Sequence, residues 1–222
     1  MDLMNLLRSV EALLYEVVSW MVFYPLTLWR CIVRPIRMAL YAEQELTQAQ
    51  ERQFEGALSP PLFLFLTLLI AHALQLRFGS SHGQLPGLLA DERVILLFRA
   101  VLFSLFPLLF AIQRVRQTGQ ELTRSSLRPA FYGQCYLAVP FALTVDVSLV
   151  VVQAPHGAAV LAGLILFAAA TGWYLTCLTR WFTYHGVARW PRAFGRALAT
   201  VVLGLLAFLA IATAVALATV SQ

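Results

Sequence analysis

The chain has 222 residues, of which 60% are hydrophobic and 12% charged, with a mean hydropathy of +0.75. Soluble domains carry about 25% charged residues, so this composition excludes an ordinary soluble domain beside several membrane spans. The net charge of +5 comes from basic residues that flank apolar runs, which argues against a nucleic-acid partner and for orientation in a bilayer.

The first residues, Met1-Asp2-Leu3-Met4-Asn5, lack the positive region and small-residue cleavage site of a signal peptide, so no processing is expected. Between Glu16 and Arg30 lie thirteen residues, interrupted by Pro25 and dense in aromatics: Tyr15, Trp20, Phe23, Tyr24 and Trp29 mark the stretch. An apolar run of about 10–14 residues is more often interfacial or re-entrant than spanning, and Trp and Tyr favour the headgroup level. Residues 17–29 are therefore expected to lie on the inner leaflet or dip into it. Arg34–Phe54, with Glu43, Glu45, Glu51 and Arg52, reads as a short cytoplasmic helix that ends before Ser59-Pro60-Pro61.

Five longer apolar runs follow: Leu58–Leu76, Val94–Gln113, Phe131–Val152, Ala158–Leu178 and Ala197–Val220. Each approaches or exceeds the roughly 20 residues that a helix needs to cross a hydrocarbon core of about 30 Å. Backbone groups in lipid must satisfy one another, so these runs predict helices. All sixteen basic residues are Arg. Thirteen precede the first run or lie in the second-to-third and fourth-to-fifth loops, against Arg77 and Arg93 on the opposite side. By the positive-inside rule the N-terminus is cytoplasmic and the C-terminus outside. The Ala- and Arg-rich, Lys-free composition points to a bacterial inner membrane. Cys31, Cys135 and Cys177 then fall in the cytoplasmic half, where a structural disulfide is not expected.

Charged residues inside spans are costly and are the first candidates for function. Arg99 and Asp146 stand at matching depths, roughly 8–9 Å below the outer surface at about 1.5 Å per residue, so they are expected to pair. His72, Gln75 and Arg77 reach a similar level. Arg99, Asp146, His72 and Gln75 thus make a candidate intramembrane polar site, which serves either as a structural ion pair or as a site for a headgroup, ion or partner helix. Pro107 and Pro140 predict bends in their spans. Small residues at Ala158/Ala162, Ala159/Gly163, Gly195/Ala199 and Ala210/Ala214/Ala218 allow close helix packing, within the chain or in a homo-oligomer. The Arg180–Arg192 loop alternates Arg with aromatics, as a headgroup anchor does. No metal-ligand spacing of His72, His82, His156 and His185, no phosphate loop and no nucleophile motif is present, so no enzyme activity and no cofactor is expected.

The stretch Ser125-Ser126-Leu127-Arg128-Pro129-Ala130-Phe131-Tyr132-Gly133-Gln134-Cys135-Tyr136-Leu137-Ala138-Val139-Pro140 resembles the polar loop and middle-span entry of the Yip (Ypt-interacting-protein-like) family. Here Gln134 and Cys135 separate the Gly from the Tyr. Trp173-Tyr174-Leu175, His185-Gly186 and Leu58-Ser59-Pro60-Pro61 are similar to its late region and first-span entry. The resemblance covers about Leu58–Val220 and implies five membrane helices with a cytoplasmic N-terminus; it carries over no catalytic residue. The expectation is an all-α polytopic membrane helix bundle: an amphipathic, interfacial or re-entrant region at 1–57 and a five-span domain at 58–220. Its expected role is to organise lipid or a membrane-protein complex, with membrane lipids, a protein partner or a second copy as partners; a small-solute or lipid permease is the alternative.

Overall fold

The structure, a computed structural model, describes residues 3–78, 92–154, 157–186 and 189–220. Among these, regular structure is entirely helical: α1 (Leu3–Val33), α2 (Pro35–Glu45), α3 (Pro60–Phe78), α4 (Glu92–Gln117), α5 (Arg124–Val152), α6 (Gly157–Tyr184) and α7 (Trp190–Val220), with a 3₁₀ turn at Gln50–Arg52. Among the described residues four helical segments are long and apolar enough to cross a membrane: Leu7–Val33, Pro60–Phe78, Arg124–Val152 and Gly157–Tyr184. With 26 and 31 residues, α4 and α7 also have the length of a span. Several of their side chains lie outside the described residues.

The N-terminal region differs from the sequence-based expectation. Instead of a short interrupted segment over 17–29, a single helix of 31 residues runs through Pro25. Proline removes one backbone donor, yet a helix in an apolar environment holds it where neighbouring elements support the turn. That support is α3 and the loop before it. Arg30 donates to the Gly56 carbonyl at 2.8 Å, Thr27 Oγ1 accepts from the Leu58 amide at 3.3 Å, and Tyr24 bonds Thr67 Oγ1 at 3.1 Å. Advancing along α3 from its entry means retreating along α1, so over Tyr24–Arg30 the two segments run in opposite senses, while the described side chains of α1 before Ser19 are exposed.

Helix α5 occupies the centre and packs against α2, α3, α4 and α6. It starts seven residues before the apolar run at Phe131, because Thr123 caps its N-terminus: the Thr123 side chain accepts from the Ser126 amide while Ser126 Oγ accepts from the Thr123 amide. Two apolar cores flank it. One joins α1, α3 and α5 through Phe63, Tyr136, Cys31 and Cys135; the other joins α4, α6 and α7 through Phe110, Tyr174, Trp181 and Ala197. Aromatic pairs set their geometry, including Phe141 stacked on Tyr174 at 4.5 Å and Tyr24 edge-on to Phe63 at 5.2 Å.

The small-residue spacing resolves unevenly. A methyl group on Gly163 would stand 2.9 Å from the Ser148 carbonyl oxygen, so this glycine lets α6 approach α5 within the chain. Gly195, by contrast, has open space around it.

Candidate functional site

Three arginine-rich segments, separate in sequence, meet at one end of the bundle: α2 with the loop after it, the α4–α5 turn, and the end of α6. The short helix α2 is part of the packed body and not a free surface helix. Its Met38, Ala39, Ala42 and Glu45 are buried. Its backbone passes close to α5, where a methyl on Gly133 would stand 3.0 Å from the Ala39 carbonyl oxygen.

The loop after α2 is fastened from below. The Glu45 carboxylate is 8% exposed and accepts from the Phe54 amide at 2.6 Å and from Gln48 Nε2 at 3.2 Å. Phe54 has φ of 62°, a left-handed conformation that a bulky residue seldom adopts. The Glu45 bond holds it, and its ring lies against Tyr41 and Tyr132. The Tyr41 phenol is pushed above its ordinary pKa, first by burial and then by the charge of Glu45. Tyr136 Oη donates to the Leu58 carbonyl at 2.6 Å, tying the loop's end to α5.

A polar cleft of about 620 Å³ opens at this end, lined by Glu43 of α2, Arg114 of α4, Thr118 and Glu121 of the turn, the capping Thr123, and Ser126 and Ala130 of α5. Among the described residues the partner of the Arg114 guanidinium is the Trp181 ring, at 5.8 Å. His185 packs on Trp181 at 4.6 Å between ring centroids, and its Nε2 lies 3.5 Å from Glu43 Oε2. Two carboxylates, a guanidinium and several hydroxyls therefore share one opening, with the His185 imidazole held behind Glu43. Ser126, Ala130 and Gln134 form an i, i+4 row on α5, and helical side chains lean toward the N-terminus. Gln134 is fully buried one turn beneath the cleft wall, and neither end of its amide has a hydrogen-bond partner among the described residues. Trp181 Nε1 and Tyr174 Oη share that condition. Buried polar groups are normally satisfied, so this end of the core is more polar than its internal bonds account for. Among the described residues no three His, Cys, Asp or Glu side chains converge as metal ligands would.

The polar site expected from the sequence is only partly in view. Asp146 is buried at 3% exposure on α5 and makes a polar interaction. His72 and Gln75 are half-buried on α3. Arg99 belongs to α4, and its side chain, with the expected Arg99–Asp146 pair, lies outside the described residues, as do His82 and His156. The cleft at the other end was missed because its parts are up to about 140 residues apart in the chain; the one local signal was the polar Thr118–Ser126 run, read only as a loop. Comparison with family models, with curated proteins and with solved structures returns no match.

Proposed function

We propose that this chain is a non-enzymatic multi-pass protein of a bacterial inner membrane that organises lipid or a membrane-protein complex from its arginine-rich end, which faces the cytoplasm. The observation that carries this reading is the assembly of α2, the α4–α5 turn and the end of α6 into one packed platform around a polar cleft. Arginine and aromatic side chains at such a level match headgroup chemistry. The exposed apolar residues of α1 and α6, among them Leu14, Val18, Met21, Leu161 and Ile165, supply the lipid-facing surface.

Helices α3 to α7 correspond to the five crossings that the likeness to the Yip family implies. That likeness begins at Leu58, so α1 stands apart from it. Its length and apolarity support a crossing over an interfacial position: the 27 residues of Leu7–Val33, at about 1.5 Å each, reach about 40 Å, more than a hydrocarbon core of about 30 Å requires. We therefore take α1 as a sixth crossing, with both termini outside. The inner-side excess of arginine survives this change, because only Arg8 moves.

A second reading, a small-solute or lipid permease, draws on the buried carboxylate of Asp146. Reconstitution in liposomes separates the two. The organising role predicts solute and lipid flux no greater than in empty liposomes; flux that disappears in Asp146→Asn would establish transport instead.

A further inference from the structure

We infer that the pocket between the α1–α2 junction and the last turns of α6 binds the phosphate of an anionic membrane lipid. The pocket measures about 370 Å³ and is lined by Val33, Arg34, Pro35, Ile36, Arg37 and Arg180. Three exposed arginines from two segments far apart in the sequence thus line one space, and among the described residues no acidic side chain lines it. Like charges gathered in this way repel unless an anion lies between them. Guanidinium forks match phosphate oxygens two at a time, which suits a phosphodiester better than a single point charge would.

The surroundings choose the lipid as the source of that phosphate. Ile32 and Val33, at the end of α1, are about half exposed, and Trp29 one turn earlier is 66% exposed. An apolar, Trp-bearing surface therefore rises directly from the cationic pocket, as a glycerol backbone and acyl chains above a headgroup require. Basic pockets between helices on the cytoplasmic side are the physical form that recognition of anionic headgroups takes. This site rests on the membrane reading above, and it is separate from the Arg114 cleft, whose lining includes two glutamates.

The test is native mass spectrometry of the purified full chain with phosphatidylglycerol, phosphatidylethanolamine and inorganic phosphate. Phosphatidylglycerol binding is expected to weaken about fivefold in Arg37→Gln and in Arg180→Gln, and about 25-fold in the double variant. Arg189→Gln, an exposed arginine outside the pocket, is expected to stay within about twofold. Arg180→Lys keeps the charge but loses the two-pronged fork, and is expected to bind between wild type and Arg180→Gln. Melting temperatures equal to wild type keep the comparison free of folding effects, and should Arg180→Gln melt lower, Arg37→Gln carries the test. The inference is overturned if Arg189→Gln weakens binding as much, if phosphatidylethanolamine binds as tightly, or if inorganic phosphate alone displaces the lipid. Carbonate extraction of the same membranes keeps the two levels apart: a chain that resists extraction without binding phosphatidylglycerol loses this site and keeps its membrane assignment.

Discussion

Gly133 on α5 admits the backbone of α2, for a methyl group there would stand 3.0 Å from the carbonyl oxygen of Ala39. This contact is what turns α2 into part of the bundle and places Glu43 over the cleft. Gly133→Leu is expected to push α2 outward and cost about 1–3 kcal/mol, the range for overpacking a filled site. Gly172→Leu, where nothing lies within 4 Å, serves as control and is expected to leave the melting temperature in detergent unchanged or slightly raised, since it adds only helix propensity. Equal stability of the two variants would remove the α2–α5 contact from the account.

The end of the loop after α2 depends on one phenol. Tyr136 is fully buried, and its hydroxyl donates to the Leu58 carbonyl at 2.6 Å. Tyr136→Phe leaves that carbonyl unsatisfied and is expected to cost about 1–3 kcal/mol. Thr27→Val removes a longer bond to the Leu58 amide, 3.3 Å, and is expected to cost less. Thermal unfolding followed by fluorescence ranks the pair; the reverse order would contradict the geometry.

Gln134 gives the opposite sign. It is buried with both amide atoms lacking a partner among the described residues, so Gln134→Leu relieves two unsatisfied groups and is expected to raise stability by about 1 kcal/mol or more. A loss of stability of that size would show that water or lipid from the cleft satisfies the amide in the membrane.

A labelling experiment decides the course of α1. With Cys31, Cys135 and Cys177, all buried, replaced by Ala, a single cysteine at Ser9 is expected to react with an impermeant maleimide in cells with a permeabilised outer membrane and intact inner membrane. Reaction only after lysis of the inner membrane would return α1 to the inner leaflet and restore a cytoplasmic N-terminus.

How much of this was legible in the sequence depends on whether a signal was local. The runs at Leu58–Leu76 and Ala158–Leu178 became α3 and α6 with shifts of a few residues, because continuous apolarity at span length has one solution in lipid. The start of α5 was set too late, since Arg124, Arg128 and Pro129 look like loop residues and the Thr123–Ser126 cap carries Ser where Glu or Gln marks the pattern. The helix α1 was cut short for a similar reason: Arg8, Glu11, Glu16 and Pro25 break its apolar run, and the bonds from Tyr24, Thr27 and Arg30 that hold it beside α3 are tertiary. The polar cleft was invisible because Glu43, Arg114, Ser126 and His185 share no spacing rule; only helix packing unites them. Asp146 stands out in the sequence as an acid within an apolar run, and it is buried on α5.

The central claim is that three arginine-rich segments form a single cytoplasmic platform, and sided labelling of each tests it most directly. Glu51, Thr118 and Tyr184 are exposed, one on each segment. Single cysteines at these positions, in the background without native cysteines, are predicted to react with the impermeant reagent in inverted inner-membrane vesicles and not in intact spheroplasts. Labelling of any one of the three from the spheroplast exterior would contradict the platform and the function built on it.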